Sequence, residues 1–263
     1  MKGAAARGKQ KKRAHAARNR SAVGVCTGRV SRYFIQGPER ALAARRLFSR
    51  LAPRYDLVND AQSAGLHRLW KRRLLRGMEL RPEQRLLDLA CGTGDLAWRA
   101  ARRTRAVGGD FSAEMLRRAR ARRTAEAPPS WALLDGSALP FRENSFDAAV
   151  VGYGLRNFAA PEAALGELHR VLRRGGRLGI LDFGKPAHRF VRAAYERWLR
   201  TVSPWFGRIF FGDAAAYAYI ADSLEAYPEP EGVGAWLRSA GFAEVRLERL
   251  CLGTMTIHRA RKP

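Results

Sequence analysis

Leu86-Leu87-Asp88-Leu89-Ala90-Cys91-Gly92-Thr93-Gly94-Asp95-Leu96 decides the fold: an apolar run, one acid, a glycine turn, then residues that open a helix. Leu86 to Leu89 read as the end of a buried parallel strand, and Ala97, Ala100 and Ala101 as the packed face of the following helix. Gly92 and Gly94 let the backbone come close to a ligand. Asp88 places a carboxylate at the strand's carboxyl end, where open α/β sheets bind ligands. The pattern is that of a nucleotide-type site.

The glycines alone do not say which nucleotide. Gly92-x-Gly94-x-x-Ala97 also fits the relaxed dinucleotide fingerprint, with Asp110 about where a ribose-binding acid should stand. Asp88 tips the balance, because an acid just before the turn repels a pyrophosphate and suits the ammonium of S-adenosylmethionine. S-adenosylmethionine is therefore expected over NAD.

Composition sets the outer limits. A chain of 263 residues holds one sizeable α/β domain, alone or with extensions. The net charge of +25 invites a nucleic-acid or anionic-membrane partner, but residues 1 to 38 carry ten lysines or arginines and no acid, leaving about +15 on the rest. Arginines scattered around whole helices, as in residues 117–123, read as solvated faces rather than one binding stripe. Cys26, Cys91 and Cys251 lack C-x-x-C spacing and leave one unpaired, which points to a reducing compartment and no metal. No stretch of about 20 apolar residues exists to span a bilayer, so membrane contact would be peripheral.

Residues 1–38, poor in large apolar side chains and self-repelling, read as a largely disordered basic tail; their bias also suits a transit peptide. Residues 39–263 then form one domain. Leu42, Leu47, Phe48 and Leu51 recur at helical spacing until Pro53, and Tyr55-Asp56-Leu57-Val58-Asn59-Asp60 follows as a lid or a capping turn. Leu66, Trp70 and Leu74 mark the apolar side of the next helix, with His67 beside it. Strands are expected at 105–110, ending in Asp110 for ribose hydroxyls, at 131–134 and at 146–151. Asp135 after the second of these can accept from an adenine amino group, and Gly136 leaves room for the ring. A helix over 163–172, stopped by Arg173-Arg174-Gly175-Gly176, and a strand over 178–183 complete a doubly wound α/β pattern.

The segment from Phe190 to Tyr227 holds 10 of the chain's 25 aromatic residues and reads as an added helical region, within an insertion over 184–232. Val191, Tyr195, Trp198, Leu199 and Val202 form one stripe on it, read as core or as cover for a hydrophobic substrate. A helix near Gly234 to Ala240 and a hairpin through Val245 and Met255 to His258 end the chain.

Tyr55-Asp56 with Asn59-Asp60, His67-Arg68-Leu69-Trp70-Lys71, the Asp88 to Leu96 run, Gly154-Leu155-Arg156-Asn157, and Gly253-Thr254 before Ile257-His258 resemble, in order and spacing, the quinone-biosynthesis C-methyltransferases. These methylate demethylmenaquinol or ubiquinone precursors. The resemblance runs from about Arg45 to the end. It implies a class I S-adenosylmethionine-dependent fold, a seven-stranded sheet whose last strand is antiparallel, and cofactor contacts at Thr93, Asp110, Asp135 and Gly136. A serine common in the family before the aromatic-Gly-Leu-Arg-Asn run is Gly152 here, so only its backbone can reach the cofactor.

Methyl transfer to a ring carbon then needs a polarised or deprotonated quinol. Arg156, Asn157 and Tyr153 are expected to stabilise the developing phenolate, with Arg156 an electrostatic stabiliser because a guanidinium rarely gives up its proton. His67, or a water held by Asp56, is the expected proton acceptor. With the glycine loop, Asp88 and Tyr55 complete the expected cofactor site. The resemblance implies a prenylated quinol as partner; transient contact with the inner face of a cytoplasmic membrane, no metal and no nucleic acid are further expectations, and a homodimer and an organelle stay open. Rival readings are a demethylphylloquinol or ubiquinone-precursor substrate, an RNA methyltransferase, an NAD oxidoreductase and a non-catalytic binding protein.

Overall fold

The computed structural model describes residues 39–122, 127–213 and 215–263; the basic tail and Cys26 lie outside the described residues. The chain starts with α1 (Arg40–Leu51), α2 (Tyr55–Ser63) and α3 (Leu66–Arg76). Strands and helices then alternate: β1 (Arg85–Leu89), α4 (Asp95–Ala101), β2 (Arg105–Asp110), α5 (Ala113–Ala121), β3 (Ser130–Leu133), β4 (Phe146–Gly152), α6 (Pro161–Val171) and β5 (Leu172–Phe183). Three helices follow, α7 (Arg189–Thr201), α8 (Ser203–Phe211) and α9 (Ala215–Glu225), before α10 (Pro230–Ser239), β6 (Ala243–Leu250) and β7 (Met255–Arg261).

The seven strands form one sheet in the order β3-β2-β1-β4-β5-β7-β6, parallel from β3 to β5, with β7 antiparallel to both its neighbours. This is the class I methyltransferase architecture that the sequence implied. The chain winds outward from β1 to β3, then returns to place β4 on β1's other side. A crevice therefore opens at the carboxyl ends of β1 and β4, the switch point where such sheets bind ligands.

Period-two alternation divides the sheet between two covers. Leu87, Leu89, Ala149, Val151 and Ile180 pack with Leu165 and Leu168 of α6 and Leu237 of α10. Leu86, Ala148, Val150 and Leu181 pack with Leu74 of α3 and with Leu96 and Ala100 of α4. A third, smaller cluster joins Leu47, Leu51 and Val58 of α1 and α2 to Tyr219 of α9. Through it the first two helices and the insertion close over the carboxyl edge of the sheet as a cap.

Three local expectations change. Helix α3 buries His67, Lys71 and Leu74, while Leu66 stays 44% exposed. The polar pair wins that face because Asp60 and Asp95 stand opposite, giving each cation or ring a partner. Arg173 to Gly176 is not a helix stop but an irregular opening of β5: pairing jumps from Phe146–Leu172 to Ala148–Arg177, and Gly175 takes φ 73°. Arg173 anchors it on Asp147 Oδ1 at 2.9 Å. Finally, residues 55–60 are helix rather than turn, because Pro53 ends α1 in a single 3₁₀ turn that runs straight into α2.

Candidate active site

The strand ends converge on the crevice. After Leu89 the backbone turns through Ala90 in the left-handed region, φ 57°, and after Gly152 through Tyr153, φ 62°. For a tyrosine this conformation costs about 1–3 kcal/mol and persists where the surroundings impose it, commonly at functional sites. The result is a narrow cleft of about 120 Å³ walled by Gly92, Asp110, Asp135, Gly136, Gly152 and Asn157. A recess of about 30 Å³ under the glycine loop adds Asp88, Thr93 and Lys71. Tyr55 and Tyr153 border both.

Backbone donors shape this side. Asp110 Oδ2 accepts from Gly92 N at 2.8 Å and Oδ1 from Ser112 N at 2.9 Å, so Asp110 pins the loop while facing the cleft. Burial raises its pKa to about 6 against the pull of those donors. Asp88 Oδ2 accepts from Ala97 N at 2.9 Å, but Oδ1 is buried with no hydrogen-bond partner among the described residues. Burial lifts its pKa to about 8. Asp135 accepts from Ser137 N and Oγ at 2.8 and 2.7 Å, a turn that holds its carboxylate beside Gly136.

Two expected contacts lie elsewhere. Gly94 caps α4 at φ 79° and does not border the cleft; a Cβ there would stand 2.4 Å from the Trp131 ring, so it serves close packing of helix on strand. Asp56 lines neither the cleft nor the large cavity. Its Oδ1 accepts from Thr93 Oγ1 at 2.8 Å and its Oδ2 from Arg122, which makes it a strut for the glycine loop rather than a holder of catalytic water. At Gly152 a Cβ would stand 2.7 Å from Leu96 Cδ1, so the family's serine would require that leucine to shift.

Beyond Tyr55, Tyr153 and Phe48 the cleft meets a cavity of about 720 Å³. Its walls are apolar, drawn from α1, the stripe Val191, Tyr195, Trp198 and Leu199 of α7, Ile220 of α9 and the turn before β7. The stripe is thus both core and cover: Leu199 is buried and lines the cavity with Val191, Tyr195 and Trp198, while Val202 lies outside both and is 40% exposed. The floor is polar. Arg156 donates through Nη1 to Asp182 Oδ1 at 2.5 Å and to Tyr153 O at 2.9 Å, and its guanidinium lies 4.6 Å from the Phe183 ring centre. Burial works against the Arg156 charge, but Asp182, together with Tyr219 and Tyr55, more than offsets it and holds the pKa above the ordinary value. Asn157 faces the cleft rather than the cavity, accepting from Tyr219 OH at 3.1 Å and donating to Tyr153 O at 3.1 Å.

Asp182 and Tyr219 were missed at the sequence level. Asp182 had a signal: it is an acid in the last residues of an apolar strand, as Asp88 and Asp110 are. The buried Lys71–Asp95 pair at 2.9 Å, with Lys71 Nζ 5.9 Å from the centre of the Tyr153 ring, was missed because neither partner stands out from its helix.

Residues 38–262 match the ubiE/COQ5 methyltransferase family. The chain belongs to that family. Among its relatives, a demethylmenaquinone methyltransferase of Thermus thermophilus is 42% identical over 223 residues, 82% of this chain and all of that one. A ubiquinone/menaquinone biosynthesis C-methyltransferase of Dinoroseobacter shibae is 36% identical over 230 residues, 85% of this chain and 92% of its own. Solved structures agree on the fold. The [4+2]-cyclase SpnF superposes with TM-score 0.65 at 20% identity, covering 89% of this chain and 99% of its own. A Thermotoga maritima protein described as an S-adenosylmethionine-dependent methyltransferase, possibly acting on histamine, gives 0.57 at 22%, covering 83% and 99%. Family membership makes this chain a methyltransferase, and the crevice at the switch point is where its family motifs gather.

Proposed function

We propose that the protein transfers a methyl group from S-adenosylmethionine to a ring carbon of a prenylated quinol, converting demethylmenaquinol to menaquinol. One observation carries this: a small cleft that carries the carboxylates of Asp110 and Asp135 and a large apolar cavity meet at Phe48, Tyr55 and Tyr153. The cleft fits the donor. Asp88 Oδ1, buried and without a protein partner among the described residues, calls for a cationic or N–H group, and the donor's ammonium supplies both. Asp110 would hold the ribose, Asp135 and Gly136 the adenine, and the Gly92 and Gly152 backbones the remainder. Bound there, the donor supplies an electrophilic methyl group: a C–C bond to the ring forms as its C–S bond breaks, and one ring proton is released.

The cavity fits the acceptor. Its volume lies within the roughly 300–1,000 Å³ of small-molecule sites, and aromatic walls suit a flat ring with an apolar tail. Arg156, always cationic and locked on Asp182, would stabilise the phenolate that electron release to the ring carbon requires. Nucleotide substrates suit these apolar walls poorly. The tail would leave between Phe190 and Leu252, which line the cavity while 65% and 81% exposed. Leu66, Leu69, Trp205 and Ile209, exposed on elements around the cavity, would let this mouth rest on a membrane surface. No helix among the described residues is long and apolar enough to cross one.

Mass spectrometry of a quinol panel incubated with the protein and labelled donor tests the proposal. One added methyl on demethylmenaquinol is expected. Preference for a benzoquinol precursor or demethylphylloquinol would replace the substrate, and methylation of none would refute it.

A further inference from the structure

If the quinol hydroxyl is deprotonated inside the cavity its proton needs an acceptor, and few of the described wall residues can take one. Among the described residues, the ionisable side chains lining the cavity are Tyr55, Tyr153, Tyr195, Tyr219, Arg156 and His67. Arg156 stays protonated. Burial pushes the phenols of Tyr55, Tyr153 and Tyr195 above their ordinary value, so they are donors at neutral pH. His67 differs.

The local chain explains how it is held. Ala64 at φ 48° and Gly65 at φ 77° turn α2 into α3, which brings Asp60 on the first helix against His67 on the second. Arg68 grips the Asp60 carboxylate with its fork, Nε donating to Oδ1 at 2.8 Å and Nη2 to Oδ2, and thereby fixes the carboxylate's angle. The gripped Oδ1 lies 2.7 Å from His67 Nε2. An ionised carboxylate can only accept, so Nε2 carries the hydrogen and Nδ1 keeps its lone pair. Nδ1 is buried with no hydrogen-bond partner among the described residues, on a side chain 7% exposed in the cavity wall. A histidine serving only to tie two helices together has no use for a buried, unmet acceptor.

We infer that Asp60 and His67 form a proton-accepting dyad, with His67 Nδ1 the catalytic base for the quinol hydroxyl and Asp60, anchored by Arg68, the positioning residue. The inference rests on the quinol reading above. In the step, the hydroxyl proton moves to Nδ1 and its electron pair stays on oxygen. After the ring carbon is methylated, its own proton leaves to water while Nδ1 returns the first proton to oxygen, so the histidine ends neutral. The charged groups around the imidazole are Asp60 on α2, Arg68 and Lys71 on its own helix, and Asp95 at the start of α4. Burial and Lys71 outweigh the two acids and hold the ring below its ordinary pKa, ready to accept at neutral pH.

The test compares His67→Ala, His67→Gln and Asp60→Asn with the wild type on a quinol that the wild type methylates. The base is expected to be worth about 10²–10⁴-fold in kcat, with KM for the quinol within about threefold. Imidazole added to His67→Ala should restore part of the rate, with a pH profile that follows the added base. In the donor-free protein, nitrogen NMR of His67 should show the hydrogen on Nε2, and Asp60→Asn should lower the ring's pKa further and cut kcat at every pH. Wild-type turnover by His67→Ala, a lost rate that imidazole does not restore while the variant's melting curve is unchanged, or a hydrogen on Nδ1 overturns the dyad alone. A wild type inert towards every quinol overturns the substrate reading and the dyad with it.

Discussion

The cleft and the cavity are built on opposite plans. The cleft is made of backbone: strand ends, a glycine loop and turns, with Asp110 and Asp135 satisfied by main-chain donors at 2.8–2.9 Å. The cavity is made of side chains from helices distant in sequence, and its fixed polar points are the pairs Arg156–Asp182 and His67–Asp60. Main-chain scaffolding gives a site little freedom to change ligand, which suits a donor common to many enzymes. Side-chain walls can be altered one residue at a time, which suits an acceptor that differs between relatives.

If this contrast holds, the largest effect belongs to the cavity's buried ion pair. Arg156→Ala leaves Asp182, 2% exposed, without its principal cation. Breaking such a pair costs about 3–5 kcal/mol, and losing the charge proposed to meet the phenolate should cost about 10²–10³ in kcat. Calorimetric binding of the methyl donor should change by less than about threefold in protein that remains folded. A large loss of donor affinity would mean that the two compartments are not separate. Gly94→Ala comes next and strikes the other side: φ 79° and the Trp131 ring at 2.4 Å oppose a methyl group. A loss of about 1–3 kcal/mol, read as melting temperature, is expected, with weakened donor binding and an unchanged acceptor preference.

The same contrast explains what the sequence disclosed. Asp88, Gly92 and Asp110 were legible because a strand, a turn and a helix follow each other along the chain, so adjacency in sequence is adjacency in space. The parallel order was legible from alternation of apolar strands and helices. Asp60 against His67, or Tyr219 against Asn157 across 62 positions, leaves no local trace, because the turns and cap that bring them together are tertiary. Gly94 misled for a related reason: its fingerprint position serves a ring thirty-seven residues on, and nothing local shows that. Helix α3 misled because apolar periodicity favoured Leu66, while the buried partners of His67 and Lys71 decided the face.

The mouth of the cavity should respond more mildly. Leu252 is 81% exposed at the end of a turn with Cys251, Leu252 and Gly253 all at positive φ, an arrangement that holds an apolar side chain outward. Leu252→Asp with Phe190→Asp should lower turnover of a long-chain quinol presented in anionic vesicles by about tenfold, since each change removes about 1.5–3 kcal/mol of apolar burial at most. Turnover of a short-chain soluble quinol should stay near wild type. Equal losses on both substrates would mean that the pair shapes the cavity and not its contact with lipid.

The smallest effect tests the cleft by pH. Asp88 has a pKa of about 8 in the ligand-free protein, and a cation beside Oδ1 favours the ionised form, so donor binding releases a proton whenever the pH is below that value. Affinity should therefore tighten about fivefold from pH 7 to 8 by one-proton linkage, then level off. Asp88→Asn should bind more weakly and lose that part of the slope. Stability runs the other way. The folded pKa lies above the ordinary 3.8, so this group's contribution is complete below about pH 4 and is lost as pH rises through 8. Without donor, Asp88→Asn should melt above the wild type at pH 9, because the amide cannot ionise in a site that resists the charge. A carboxylate kept where it destabilises the empty fold is intelligible only if the bound cation returns more than the fold loses. A wild-type affinity flat between pH 7 and 8 would place the cation elsewhere in the cleft.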